Sequence, residues 1–173
     1  MIKSGNKIEL LAQLLNKENT LVISGAIDSL RNEEPFEGAV GLLVSLYDRT
    51  SDDAVKKTIE LFLNDIKDPS SRTEVIDQIK KTWKPGTTSM LVSSCWQSGL
   101  DYSGYSDVFI SLFLSGDFVT AIECYTVISE SADSISRVDK DAMIKTLEDN
   151  QAPQSGEKAS LAADLISMLK DSL

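Results

Sequence analysis

The sequence predicts an all-α protein, a row of helical hairpins stacked on one another. Three observations predict it. Apolar residues recur at the helical period along almost all of the 173 residues. Strand patterns are scarce: Val108-Phe109-Ile110 has a strand-like composition, but Leu112, Phe113 and Leu114 follow with no turn between. A helix-start frame also returns along the chain, at intervals of 33, 36, 29 and 38 residues.

Taken in order, Ile8, Leu11, Leu14 and Leu15 form the first stripe, on a helix expected over Lys7–Asn16. Asn19 is a good N-cap for a second helix carrying Val22, Ala26, Ser29 and Leu30. Pro35 suits the first turn of a third, where its missing N–H costs nothing, ahead of Phe36, Ala39, Val40, Leu43, Leu46 and Tyr47. Asp52 or Asp53 caps a fourth, with Val55, Ile59, Phe62, Leu63 and Ile66 on one side. Pro69 marks the start of a fifth, leading to Val75, Ile76 and Ile79. Lys84-Pro85-Gly86-Thr87-Thr88 reads as a turn before Met90, Leu91, Val92, Cys95 and Trp96. Tyr105–Leu114, Asp117–Glu130, Arg137–Asp149 and Gly156–Lys170 complete ten helices.

The helices fall into pairs. Every second helix is expected to start from Asn19, Asp52, Thr88, Asp117 and Ser155. Seven residues on stand Ala26, Ile59, Cys95, Cys124 and Ala162; eleven on stand Leu30, Leu63, Gly99, Ile128 and Ile166. Hairpins with such stripes cannot bury their apolar faces alone and must stack. The stretch Ser115-Gly116-Asp117-Phe118-Val119-Thr120-Ala121-Ile122-Glu123-Cys124-Tyr125 resembles the start of the inner helix of HEAT repeats, a short Gly/Asp turn before a Val- and Ala-rich helix. Ser51-Asp52-Asp53-Ala54-Val55-Lys56-Lys57-Thr58-Ile59 is similar, with Lys56 where those repeats often carry a basic residue. Asn19 in place of Asp, and Thr88 after a Pro-Gly turn, depart from the pattern. The resemblance, to the HEAT/armadillo-like families, implies a right-handed α-α superhelix (an α-solenoid) of about five antiparallel hairpins. It would fill a single domain over 1–173.

Composition removes several kinds of chemistry. With 17 basic and 27 acidic residues the net charge is −10, which repels phosphate backbones and anionic lipid, so neither nucleic acid nor membrane is expected as a partner. The chain has no histidine, which excludes Ser-His-Asp and Cys-His catalysis and histidine-ligated metals. Two cysteines, Cys95 and Cys124, cannot build a disulfide framework or a four-cysteine zinc site; both are expected as buried thiols. Glu9 and Gln13 interrupt the N-terminal apolar run, no apolar stretch nears the roughly 20 residues of a membrane span, and a cytoplasmic protein is expected. The carboxylate pairs Glu33-Glu34, Asp52-Asp53 and Glu148-Asp149 point in divergent directions on a helix and make no catalytic dyad. No phosphate loop, dinucleotide fingerprint or calcium loop is present, so no cofactor or metal is expected. The cluster Lys80-Lys81-Thr82-Trp83-Lys84 reads as a solvated helix end, its charge complementing the helix dipole.

One region stands apart. Residues 85–136 contain no Lys or Arg, six acids, and seven of the eleven aromatics: Trp96, Tyr102, Tyr105, Phe109, Phe113, Phe118 and Tyr125. On one reading Phe109, Phe113 and Phe118 fill the core, Trp96 and Tyr125 seal its edge, and the acids solvate an outer face. On the other, Trp96, Tyr102 and Tyr105 line a peptide-binding surface, the two tyrosines in the glycine-containing connection 98–107, with nearby carboxylates favouring a basic segment. The function expected is a non-enzymatic scaffold that presents a solenoid surface to a protein or peptide. The alternative is a small enzyme or ligand-binding protein with an acidic aromatic pocket around Trp96, Asp101 and Tyr102.

Overall fold

The computed structural model describes residues 4–150 and 156–173; Met1, Ile2, Lys3 and the expected cap Ser155 lie outside them. The described residues form ten α-helices and three short 3-10 turns, with no strand among them. The protein is all-α. The described residues fall into two compact units, divided between Leu100 and Asp101.

The first unit holds α1 (Ser4–Leu15), α2 (Thr20–Ser29), α3 (Ala39–Arg49), α4 (Asp53–Asn64), α5 (Ser71–Ile79) and α6 (Pro85–Ser98). Consecutive helices pack as the pairs α1–α2, α3–α4 and α5–α6. Each helix also packs on the next but one, α1 on α3 on α5 and α2 on α4 on α6. Leu43, Val44, Ile59, Leu63, Ile76, Leu91 and Val92 are buried between them. The second unit repeats the scheme with α7 (Ser106–Ser115), α8 (Phe118–Glu130), α9 (Arg137–Asp149) and α10 (Glu157–Asp171). Its core centres on Phe109, Phe113, Cys124, Leu147, Leu165 and Leu169.

Five side-chain hydrogen bonds between hairpins span 32 to 34 residues. Thr20 donates to Asp52, 32 residues on; Arg31 donates to Asp65 at 2.6 Å, 34 residues on; Arg49 donates to Asn16 at 2.8 Å, 33 residues back. Asn64 donates to Gln97 at 2.7 Å, again 33 residues on. In the second unit the ammonium of Lys140 donates to the Ser172 carbonyl at 2.7 Å, 32 residues on. Equivalent positions of neighbouring hairpins therefore lie side by side.

The helix starts correct the sequence frame. Asn19 accepts from the N–H groups of Leu21 and Val22, Asp52 from Ala54 and Val55, and Asp117 from Thr120. Thr88, however, lies inside α6, which starts at Pro85 with Lys84 as its cap residue. Replacing Thr88 by Lys84 turns the first three intervals into 33, 32 and 33 residues. Seven residues on then stand Ala26, Ile59, Leu91 and Cys124, all buried. Lys84 has no capping side chain; the carboxylate of Asp48, on α3, accepts from the Lys84 N–H at 3.0 Å and the Thr87 hydroxyl at 2.8 Å. Pro35 likewise does not open α3. That helix starts at Ala39, after Gly38 in the left-handed conformation (φ 91°), and Glu74 of α5 accepts the Gly41 N–H at 3.0 Å. Pro69 also precedes its helix, α5 starting at Ser71.

Candidate interaction surface

The second helix of each hairpin buries one stripe and turns the opposite side outward. On α8 the buried stripe is Thr120, Ala121, Cys124, Val127 and Ile128. Helical geometry sends Val119, Ile122 and Thr126 to the far side. Its first turns are apolar: Val119 is 55% exposed, Ile122 40%, and the adjacent Phe118 37%. Of ten large exposed hydrophobic residues among the described residues, seven stand on second helices: Leu21 and Val22 on α2, Leu61 on α4, Trp96 on α6, and these three on α8. Single exposed apolar residues are ordinary, but a run of three on one turn and a half of helix is a patch.

The start of α8 is firmly held. The Gly116 N–H donates to the Leu112 carbonyl at 2.8 Å, and Asp117 accepts the Thr120 N–H at 2.8 Å. From α10, the Lys158 ammonium donates to the carbonyls of Leu114 at 2.8 Å and Gly116 at 2.7 Å. A Cβ at Gly116 would stand 2.8 Å from the Leu112 carbonyl oxygen, so the turn admits only glycine without shifting. The Thr120 N–H holds the Asp117 carboxyl below the usual aspartate range.

The aromatic residues singled out from the sequence are divided. Trp96 belongs to the first unit, at the end of α6, and is 38% exposed. Tyr102 and Tyr105 belong to the second. Tyr102 is only 2% exposed, its ring edge-on to Phe109 (centroids 6.3 Å apart, 84° between planes) and tilted against Tyr105 at 6.3 Å. With that exposure Tyr102 offers a partner almost no surface; it is core. Tyr105 is half-buried beside it. Asp101 is exposed and accepts the Ser103 N–H at 2.9 Å, closing a turn ahead of the 3-10 segment Ser103–Tyr105. Phe109 and Phe113 fill the core as expected, whereas Phe118 stands outside it.

Elsewhere the polar groups are occupied structurally. In the first unit a cavity of about 290 Å³ is lined by Leu30, Phe36, Val40, Phe62, Ile66 and Glu74. Burial pushes the Glu74 carboxyl up, against the opposing pull of the N–H groups of Gly41, Gly38 and Val40, and the carboxylate serves as the cap of α3. Arg31, on the same rim, is bonded to Asp65. Burial raises the Cys124 thiol to about 12, so it offers no thiolate nucleophile at neutral pH; Cys95 is buried as well. Among the described residues no group of three His, Cys, Asp or Glu side chains could hold a metal ion, and no helix is long and apolar enough to cross a membrane.

Charge separates the two units more sharply than it separated the segments of the sequence. Residues 1–100 carry 12 basic and 14 acidic groups, a net −2; residues 101–173 carry 5 and 13, a net −8. The exposed α8 patch lies in the acidic unit. No family model, curated protein or solved structure matches this chain.

Proposed function

We propose that this chain is a short HEAT-like α-solenoid and works as a non-enzymatic protein-interaction module. The outward face of its second helices meets the partner. Two features support the architecture: the next-but-one packing within each unit and the hydrogen bonds that recur near 33 residues. The observation that carries the function is the concentration of exposed large apolar side chains on the second helices, seven of ten among the described residues. Stacked hairpins generate such faces, and surface hydrophobes gathered on the second helices of each unit mark contact sites. Cys95 and Cys124, both buried in the core, fit a reducing compartment, the cytoplasm on this reading.

Site-specific photo-crosslinking in the native host tests it. A photoreactive residue at Leu21, Leu61 or Val119, on second helices, is expected to capture a protein partner; one at Leu10 on α1 or Val138 on α9 is not. Equal capture from both layers, or none from the second, would refute the assignment.

A further inference from the structure

Resting on that reading, we infer that the outward face of α8 docks a basic amphipathic helix. Phe118, Val119 and Ile122 supply the apolar contact. The acidic border comes from α10, which packs against α8. Its buried stripe, Ala162, Leu165, Ile166 and Leu169, sends Glu157, Ser160 and Asp164 to the side turned away from the core, and all three are exposed. An apolar strip thus runs beside a carboxylate strip, the complement of a helix with one apolar stripe and flanking Lys or Arg.

The cations of this unit do little to offset that border. Lys140 places its ammonium on the Ser172 carbonyl and Lys158 on those of Leu114 and Gly116, while Lys170 is paired with Glu148 at 2.7 Å. All five basic groups against 13 acids still leave this unit at a net −8. A field of that sign draws a cationic segment in and repels phosphate-bearing polymers and anionic lipid. The buried stripes of α8 and α10 turn this face away from the core of its own unit.

The test uses the full chain and a fluorescent Leu/Lys peptide of about 18 residues, about five helical turns, with leucines on one face. A peptide with Glu replacing every Lys is the control. Anisotropy titrations are expected to show the Lys peptide binding at least about tenfold tighter than the Glu peptide. Val119→Ser with Ile122→Ser should weaken it about tenfold or more, as loss of a central apolar anchor does. Glu157→Gln with Asp164→Asn should weaken it and flatten its dependence on salt. Leu10→Ser on α1, outside the second-helix face, should change nothing, and circular dichroism of each variant should match the parent. If the α8 variant binds as the parent does and Leu21→Ser does not, this site is wrong while the interaction reading survives on α2. Equal or tighter binding of the Glu peptide overturns the partner chemistry, and absence of any binding overturns the proposal, with crosslinking still deciding the broader reading. A dimer broken by the Val119/Ile122 substitutions would assign the face to a second copy, and that too overturns it.

Discussion

Gly25 and Gly38 lie in the same unit, yet changing each to alanine should move its stability in opposite directions. Gly38 holds φ at 91°, and a Cβ there would stand 2.9 Å from Cδ1 and 3.4 Å from Cγ1 of Ile8. The left-handed conformation costs an alanine about 1–2 kcal/mol. Swinging the Ile8 tip off its rotamer adds about 0.5–1.5 kcal/mol. The reduced freedom of the unfolded chain returns about 0.4–1 kcal/mol. The balance is a loss of about 2 kcal/mol. Gly25 sits inside α2 with nothing within 4 Å of an added Cβ, so Gly25→Ala should gain about 0.8 kcal/mol from helix propensity alone. Both tryptophans, Trp83 and Trp96, belong to this unit, so urea unfolding followed by tryptophan fluorescence reads it selectively. The two midpoints should separate by the equivalent of about 3 kcal/mol at an unchanged slope. Shifts of the same sign, or a Gly38→Ala protein as stable as the parent, would refute the geometry assigned to the start of α3.

Three further outcomes follow from the carboxylates and thiols. Burial raises the Glu74 carboxyl, so the folded chain holds that proton more tightly than the unfolded one; its contribution is present below the ordinary glutamate range and lost as pH rises through the folded value. Glu74→Gln, which keeps an acceptor for the Gly41 N–H, should remove that loss and raise the neutral-pH urea midpoint of the first unit. Asp117 has the opposite sign: its carboxyl is lowered chiefly by the Thr120 N–H, and its contribution is lost as pH falls through the lowered folded value. Asp117→Asn should keep the cap and flatten the acid side of a melting-temperature profile, while Asp117→Ala should cost about 1 kcal/mol at neutral pH. Cys124, raised to about 12 by burial, should resist alkylation at pH 8 in the native protein and react at once in denaturant.

The helices were legible in the sequence wherever the signal was local. Asn19, Asp52 and Asp117 cap their own helices within three residues, and their helix starts were read correctly. The starts of α3 and α6 were misplaced for one physical reason: their capping carboxylates, Glu74 and Asp48, come from other hairpins, 33 and 36 residues away. A reader of the sequence sees a proline and assigns it the missing N–H position. Pro85, the first residue of α6, does obey that rule, but there the sequence was read as a turn and the helix start placed at Thr88. The rule failed at Pro35, where the chain needs the left-handed Gly38 before α3 can begin.

The surface was harder to read, because aromatic density does not distinguish a core from a contact. Window 85–136 drew attention to Tyr102, yet its ring closes over Phe109. Within the same window Phe118 was assigned to the core by its type, although it directly follows the cap Asp117 and so precedes the first buried turn of α8, which begins at Thr120. The periodic frame contained the better signal. Counting from the cap, positions two and five are exposed or partly exposed on α2, α4, α6 and α8, where they hold Leu21 and Ser24, Ala54 and Lys57, Gly86 and Ser89, Val119 and Ile122. Only on α8 are both large and apolar. Phase relative to the cap, rather than residue type, separates the side chains that stabilise the hairpin from those left free to meet something else.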